Sequence, residues 1–328
     1  MLLFVTVALT VVAIVAARFA LRIDALRDQA RTLQSYADAR LAANSARAQV
    51  LYWLSTRPIG LASAGFVDEQ PLPLDGRRLQ TAEGAIVQLQ DERGLLSLNV
   101  LDREGLANVL LGLGARADQL ASLMDVVEDY ADIDNLRRLN GAEAQDYSAL
   151  GLPPPRNGWL LSVDELAAMP GWQSEPALRA KLSPWVGIRR DKLFNPNTAP
   201  LNLLKSIWPK VSNEQWDLFE TLRKNAPFFD AAAATAATGI PFGGEHLLFH
   251  ASNVQRLQVW APGLPQALEY NLLILPTGNA APWLIHEVRQ TDRPDSNNAT
   301  SAVANPVAKF PVPSQAIARS GSSRPLDP

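Results

Sequence analysis

Between residues 129 and 146 the chain gathers side chains that bind hard cations: Asp129, Asp132, Asp134, Asn140, Glu143 and Asp146. Carboxylate and amide oxygens are the ligands calcium selects, about six to eight around one ion. The spacing is not that of an EF-hand loop, and Arg137 and Arg138 stand inside it. The plainer alternative is a solvated helix end whose acids make local ion pairs and caps. Calcium is the one candidate cofactor, with Asp129, Asp132, Asp134, Glu143 and Asp146 as candidate ligands. His246 and His250 follow Glu245 at a spacing that puts both on one side of a helix or one face of a strand. They lack the internal Glu of H-E-x-x-H, and the only other histidine, His286, is remote in sequence, so zinc has little support. No G-x-S-x-G, Walker loop or G-x-G-x-x-G occurs, which leaves nucleophilic and phosphate-cradling chemistry without residues to carry it. The sequence reads as non-enzymatic. Cysteine is absent, which removes disulfides and thiolate metal sites.

The elements that must position these residues begin with the N-terminus. Residues 1–17 carry no charge and are rich in Val, Leu, Ile and Ala; as a helix they rise about 25 Å, the short end of a bilayer span. Leu2, Leu3, Phe4, Val5, Val7, Leu9, Val11, Val12, Ile14 and Val15 are the expected membrane anchor. Leu26, Ala30, Leu33, Ala37, Leu41, Ala48 and Leu51 then recur at helical spacing among Arg and Asp, with no Pro or Gly before Pro58. This predicts one helix, apolar to about residue 22 and amphipathic from 23 to 58. A cleaved signal peptide would need a basic start and a break, and a buried core helix would carry more polar groups. Arg18, Arg22 and Arg27 follow the apolar run with no Lys or Arg ahead of it. Taken literally, the positive-inside rule then puts the large domain in the cytoplasm, unless a short basic leader is missing.

At 328 residues, net charge −3 and 47% hydrophobic content, the chain has room for a membrane helix and about two modules. Residues 85–100 read as a hairpin, and Leu106, Val109, Leu110 and Leu113, then Leu120, Leu123, Met124 and Val127, as two helical stripes. Ser162 and Glu165 form a capping box. Strand patterns return near Leu257 and Val259, over 268–275 and over 283–288. From Arg293 the composition is Ser, Asn, Pro and Ala with few large apolar residues, which predicts disorder. The expected division is a sheet domain of 59–101 and 245–290, a helical insertion of 102–244, and a disordered tail of 291–328.

Asn195-Pro196-Asn197-Thr198-Ala199-Pro200 leads into Leu201, Leu203, Leu204 and Ile207, similar to the opening of a DNA-binding helix-hairpin-helix unit. The glycine turn that would present N–H groups to phosphate is replaced by Trp208-Pro209-Lys210-Val211. Lys205, Lys210, Arg223 and Lys224 are balanced by Glu214, Asp217, Glu220 and Asp230, so no footprint for counterion release exists and no nucleic acid is expected.

Five stretches in order resemble the type II secretion minor pseudopilin K family (GspK). They are the N-terminal anchor helix, Asp91-Glu92-Arg93-Gly94 through Asn99, the acidic loop with Asn140-Gly141-Ala142-Glu143 and Asp146-Tyr147, Pro155-Arg156-Asn157-Gly158 through Leu166, and Asn195 through Pro200. The resemblance implies an α+β, pilin-like fold: a long N-terminal helix on an antiparallel sheet, with a large all-helical insertion of SAM-like or helix-hairpin-helix-like form. It implies a periplasmic soluble domain at the tip of a pseudopilus, helping to initiate or cap assembly for protein export across the outer membrane. Implied partners are the I- and J-type minor pseudopilins, the inner-membrane secretion platform, and prepilin peptidase if a longer N-terminus exists. N-terminal helices of that family pack together, which assigns Leu26, Leu33, Leu41 and Leu51 to partner-helix packing. Family members bind calcium in the insertion. Two departures are the absence of a basic leader before Leu2 and the wording Val126-Val127-Glu128-Asp129 ahead of the acidic loop. The competing reading is a membrane-anchored helix-hairpin-helix DNA-binding protein.

Overall fold

A computed structural model describes residues 1–277, 281–293 and 307–312. Helix α1 runs over Leu2–Thr56, about 80 Å at the usual rise per residue. No Pro or Gly interrupts it. It stops at Arg57, which is extended at φ −124° because the following Pro58 disfavours helical geometry. Thr6 Oγ1 donates to Leu3 O and Thr10 Oγ1 to Thr6 O, so both hydroxyls in the apolar run are satisfied within the helix. Only its last third is covered. Ala39, Ala43, Ala46, Val50, Leu51, Trp53 and Leu54 are buried, spaced so that one stripe meets the sheet.

After α1 come β1 (Ser63–Ala64), β2 (Leu72–Pro73), β3 (Asp75–Gln80) and β4 (Ile86–Asp91). The insertion follows, with β5 (Leu96–Ser97), α2 (Arg103–Gly112), α3 (Leu120–Ala131), α4 (Ala144–Ala149), α5 (Pro176–Leu182), β6 (Val186–Gly187), α6 (Leu201–Ile207), α7 (Asn213–Asn225) and α8 (Ala231–Thr238). The chain closes with β7 (Val254–Trp260), β8 (Ala267–Ile274), β9 (Trp283–Thr291) and β10 (Ala308–Lys309). Among the described residues the main sheet has the order β10-β3-β4-β7-β8-β9, antiparallel except for the parallel β10–β3 pair. The insertion leaves after Asp91 and returns before Gln255, and these two residues are partners in the β4–β7 register. A domain can be inserted there without disturbing the pairing.

Period-2 alternation splits the sheet. Val87, Leu89, Leu257, Val259, Tyr270 and Leu272 join the buried stripe of α1 in one core. Gln88, Gln90, Arg256, Gln258, Glu269 and Arg289 alternate with residues of that face along the same strands and form the opposite, polar face. A second core belongs to the insertion and runs from Leu95 to Phe249. Trp208, Trp216, Phe219, Phe242 and Phe249 pack edge-on or tilted around one another at 5.2–6.2 Å in that core. The handover to the sheet falls between Phe249, in the insertion core, and Ala251, in the sheet core.

Three features differ from the sequence reading. The hairpin over 85–100 does not form: β4 pairs with β3 and β7, while Leu96–Ser97 pairs in parallel with Val186–Gly187. The short 3-10 turn Glu92–Gly94 redirects the chain at that point. Residues 307–312 are not without structure, because Ala308–Lys309 extends the sheet edge and Phe310 packs edge-on against Trp53 at 6.1 Å. The rest of the expected disordered tail beyond Arg293 lies outside the described residues. Finally, Leu51 sits in the sheet core at 7% exposure and is unavailable to a partner helix, whereas Leu26, Leu33 and Leu41 are exposed.

Candidate functional site

The acidic loop hangs between the C-terminus of α3 and the start of α4. The amphipathic face of α3 buries Leu123, Met124, Val126 and Val127, which fixes where its last turn delivers Asp129. Asp129 is fully buried. It accepts the Arg138 guanidinium at 2.7 Å and the Arg138 N–H at 3.1 Å, which folds the loop back on the helix. Gly141 passes so close that a Cβ there would lie 1.9 Å from Asp129 Oδ2. Asp125 is a second anchor, taking Arg103 at 2.7 Å and the Asn140 side chain at 3.1 Å. Burial opposes ionisation of Asp125, but Arg103 and Asn140 together hold its pKa below the ordinary carboxylate value. Asp146 accepts the Glu143 N–H at 2.9 Å at the head of α4 and pairs with Arg137 at 3.1 Å.

Three carboxylates remain. Asp132, Asp134 and Glu143 each bring an oxygen within 4.8 Å of the others. Both oxygens of Glu143 and Oδ1 of Asp132 are shielded from solvent and lack a hydrogen-bond partner. Burial first, then the charges of Asp129, Asp132, Asp134 and Asp146, push the pKa of Glu143 up. An orphaned, buried, acceptor-only group among like charges is what a hard cation relieves, so the residues present fit calcium. Of the five acids picked out in the sequence, the structure brings these three together and commits Asp129 and Asp146 to Arg138, Arg137 and backbone N–H groups. Tyr130 closes the side of the loop, donating to Glu165 at 2.8 Å with its pKa pushed up to about 12 by burial and then by that carboxylate. His246 and His250 lie outside any helix or strand, and the His250 ring contacts the carbonyl of Ala251.

The second candidate surface is α1. It is the one helix among the described residues long and apolar enough to cross a membrane, with a mean hydropathy of 2.4 over its apolar window and none of that window buried. Leu26, Leu33 and Leu41 continue the exposed apolar surface toward the sheet at 57–68% exposure.

The Asn195 stretch does not form a phosphate-binding turn. Asn195 bonds to Leu61 O, Asn197 to Phe228 O and Phe249 O, and Thr198 Oγ1 to Asp91 at 2.8 Å. Arg223 closes the knot on the carbonyls of Pro196 and Ala199. Asp91 was only a turn residue in the sequence. It is a hub that also accepts the N–H and hydroxyl of Ser252, tying the insertion to both β4 and β7. An acid heading Asp91-Glu92-Arg93-Gly94 was the available signal, but its partners lie more than a hundred residues away.

Residues 86–191 match the family model described as type II secretion system (T2SS), protein K. The chain matches the type II secretion protein K family. The match takes in β4, the first helices of the insertion and the whole acidic loop. The fold agrees with that of a solved chain from the GspK-GspI-GspJ complex of the enterotoxigenic Escherichia coli type 2 secretion system. That likeness has a TM-score of 0.56 at 18% identity and covers 81% of this chain and 100% of the other. No curated protein sequence matches this chain.

Proposed function

We infer that this chain is a non-catalytic minor pseudopilin of the protein K type, acting at the tip of a type II secretion pseudopilus to initiate or cap its assembly. The observation that carries the reading is the division of α1. Its last third is covered by the chain's own sheet, while the rest is a bare apolar and then amphipathic rod. A lone helix in water has no use for Leu26, Leu33 and Leu41 on its surface, and neighbouring helices or lipid would cover them. In this reading residues 2–22 cross the inner membrane, the sheet and insertion stand in the periplasm, and I- and J-type pseudopilins pack against residues 23–41. Calcium would be held by Asp132, Asp134 and Glu143, and it would supply the positive charge that lets this loop keep its acids ionised and close together.

The test is co-purification of the full chain with I- and J-type partners from membranes. Leu26→Glu with Leu33→Glu should abolish the complex and leave the melting temperature of the sheet and insertion unchanged. Retention of the complex by that variant would refute the packing assignment. The DNA-binding alternative gains nothing from the geometry, because Trp208 in the turn after α6 packs on Phe194, Trp216 and Phe242.

A further inference from the structure

Two adjoining hollows of about 240 and 460 Å³ lie on the polar face of the sheet, opposite α1, and share Gln88, Pro184, Arg256 and Gln258. One wall is the sheet; the other is the insertion, through Asp164, Arg179 and Trp185. Three polar atoms on these walls are shielded from solvent and have no hydrogen-bond partner: Gln88 Oε1, Arg179 Nε and Thr291 Oγ1. Their roles are complementary. The glutamine oxygen can only accept, the guanidinium can only donate, and the hydroxyl does either.

The charges of the groove are spoken for, with one exception. Arg256 is neutralised by Glu92 at 2.7 Å, and Arg289 by Glu269 at 2.6 Å and Asp164 at 3.0 Å. Arg179 makes no ion pair among the described residues. Its backbone is fixed within α5 and its N–H bonds to Glu175 O, so the guanidinium is presented from a rigid element.

We propose that this groove binds an extended peptide segment of another polypeptide, one that carries a carboxylate. An extended backbone offers N–H and C=O groups alternately, which pairs with Gln88 Oε1 and Thr291 Oγ1. The carboxylate takes the fork of Arg179. The larger hollow has the volume of ordinary ligand sites and, like many of them, lies between two domains. This site is separate from α1 and from the acidic loop, and it does not rest on the assembly role.

Calorimetry on the full chain in detergent micelles tests it, with a short capped peptide bearing one glutamate and its glutamine counterpart as probes. The glutamate peptide should bind about tenfold more tightly or better, as a charge-assisted pair requires. Arg179→Gln should erase that preference, and Gln88→Leu should weaken both peptides. Both variants replace side chains with no partner to lose at the atoms concerned, so near-UV circular dichroism should stay unchanged. Equal affinity for the two peptides, no binding at millimolar concentration, or an unaltered preference in Arg179→Gln would overturn the proposal and leave the hollows to water.

Discussion

A carboxylate with both oxygens shielded and unbonded is costly until it takes a proton or a cation, and Glu143 is in that position. Its folded pKa is raised, so above the ordinary glutamate value the native state keeps a proton that the unfolded chain has lost. Stability of the metal-free protein therefore falls as pH rises through that window. Glu143→Gln removes the titration but keeps the shape. In chelator at pH 7 this variant should melt higher than the parent, and the gap should narrow as pH falls through the ordinary glutamate range. Calcium at a hundred times its Kd should stabilise the parent by about 2.7 kcal/mol and the variant by less. If thermal melts show the variant no higher in chelator and equally raised by calcium, Glu143 is not a ligand. The sequence brought the acids into view because they are dense and close together. It did not reveal which ones are free, since that depends on Arg138 folding back to engage Asp129 through both its backbone and its side chain.

At the scale of elements, α1 was readable because an uninterrupted helical pattern needs no tertiary information. Where it changes from bare to covered was not readable. Leu41 and Leu51 lie on the same periodic run, yet Leu41 is 68% exposed and Leu51 7%. The difference is set by how far the sheet reaches along the rod, with Gly263 brought against Ser35 and Ala39 at that limit. Leu51→Ala should then cost about 2–5 kcal/mol as a buried truncation, while Leu33→Ala should leave denaturant midpoints within about 0.5 kcal/mol of the parent. Equal losses for the two would mean that the sheet covers more of α1 than its last third. The hairpin expected over 85–100 failed for a related reason. Alternation identifies strands, but the partner of β4 on one side is β7, beyond the whole insertion.

At the scale of the molecule, the two cores are coupled through charge rather than through apolar surface. Arg256 on β7 reaches across the polar face to Glu92 at 2.7 Å and to the carbonyls of Ser183 and Val186 in the insertion. Gly187 packs on the same carboxylate so tightly that a Cβ there would lie 1.9 Å from Glu92 Oε2. Burial pushes the pKa of Glu92 up and Arg256 pulls it down. Arg256→Met would strip away that opposing pull and leave a buried acid beside the remaining charge of Glu269, so breaking the pair should cost about 3–5 kcal/mol near neutral pH. Because the stranded Glu92 can neutralise itself by taking a proton, the loss should shrink as pH falls. Adding Glu92→Gln to Arg256→Met should recover much of the loss, since no buried charge is then left alone. The insertion should also become more open to limited proteolysis relative to the sheet in the single variant than in the double. A single variant whose loss is the same at every pH would mean that Arg256 acts by packing alone. The domains would then be held by the Asp91 hub, which ties β4 to Thr198 and Ser252 without any need of a cation.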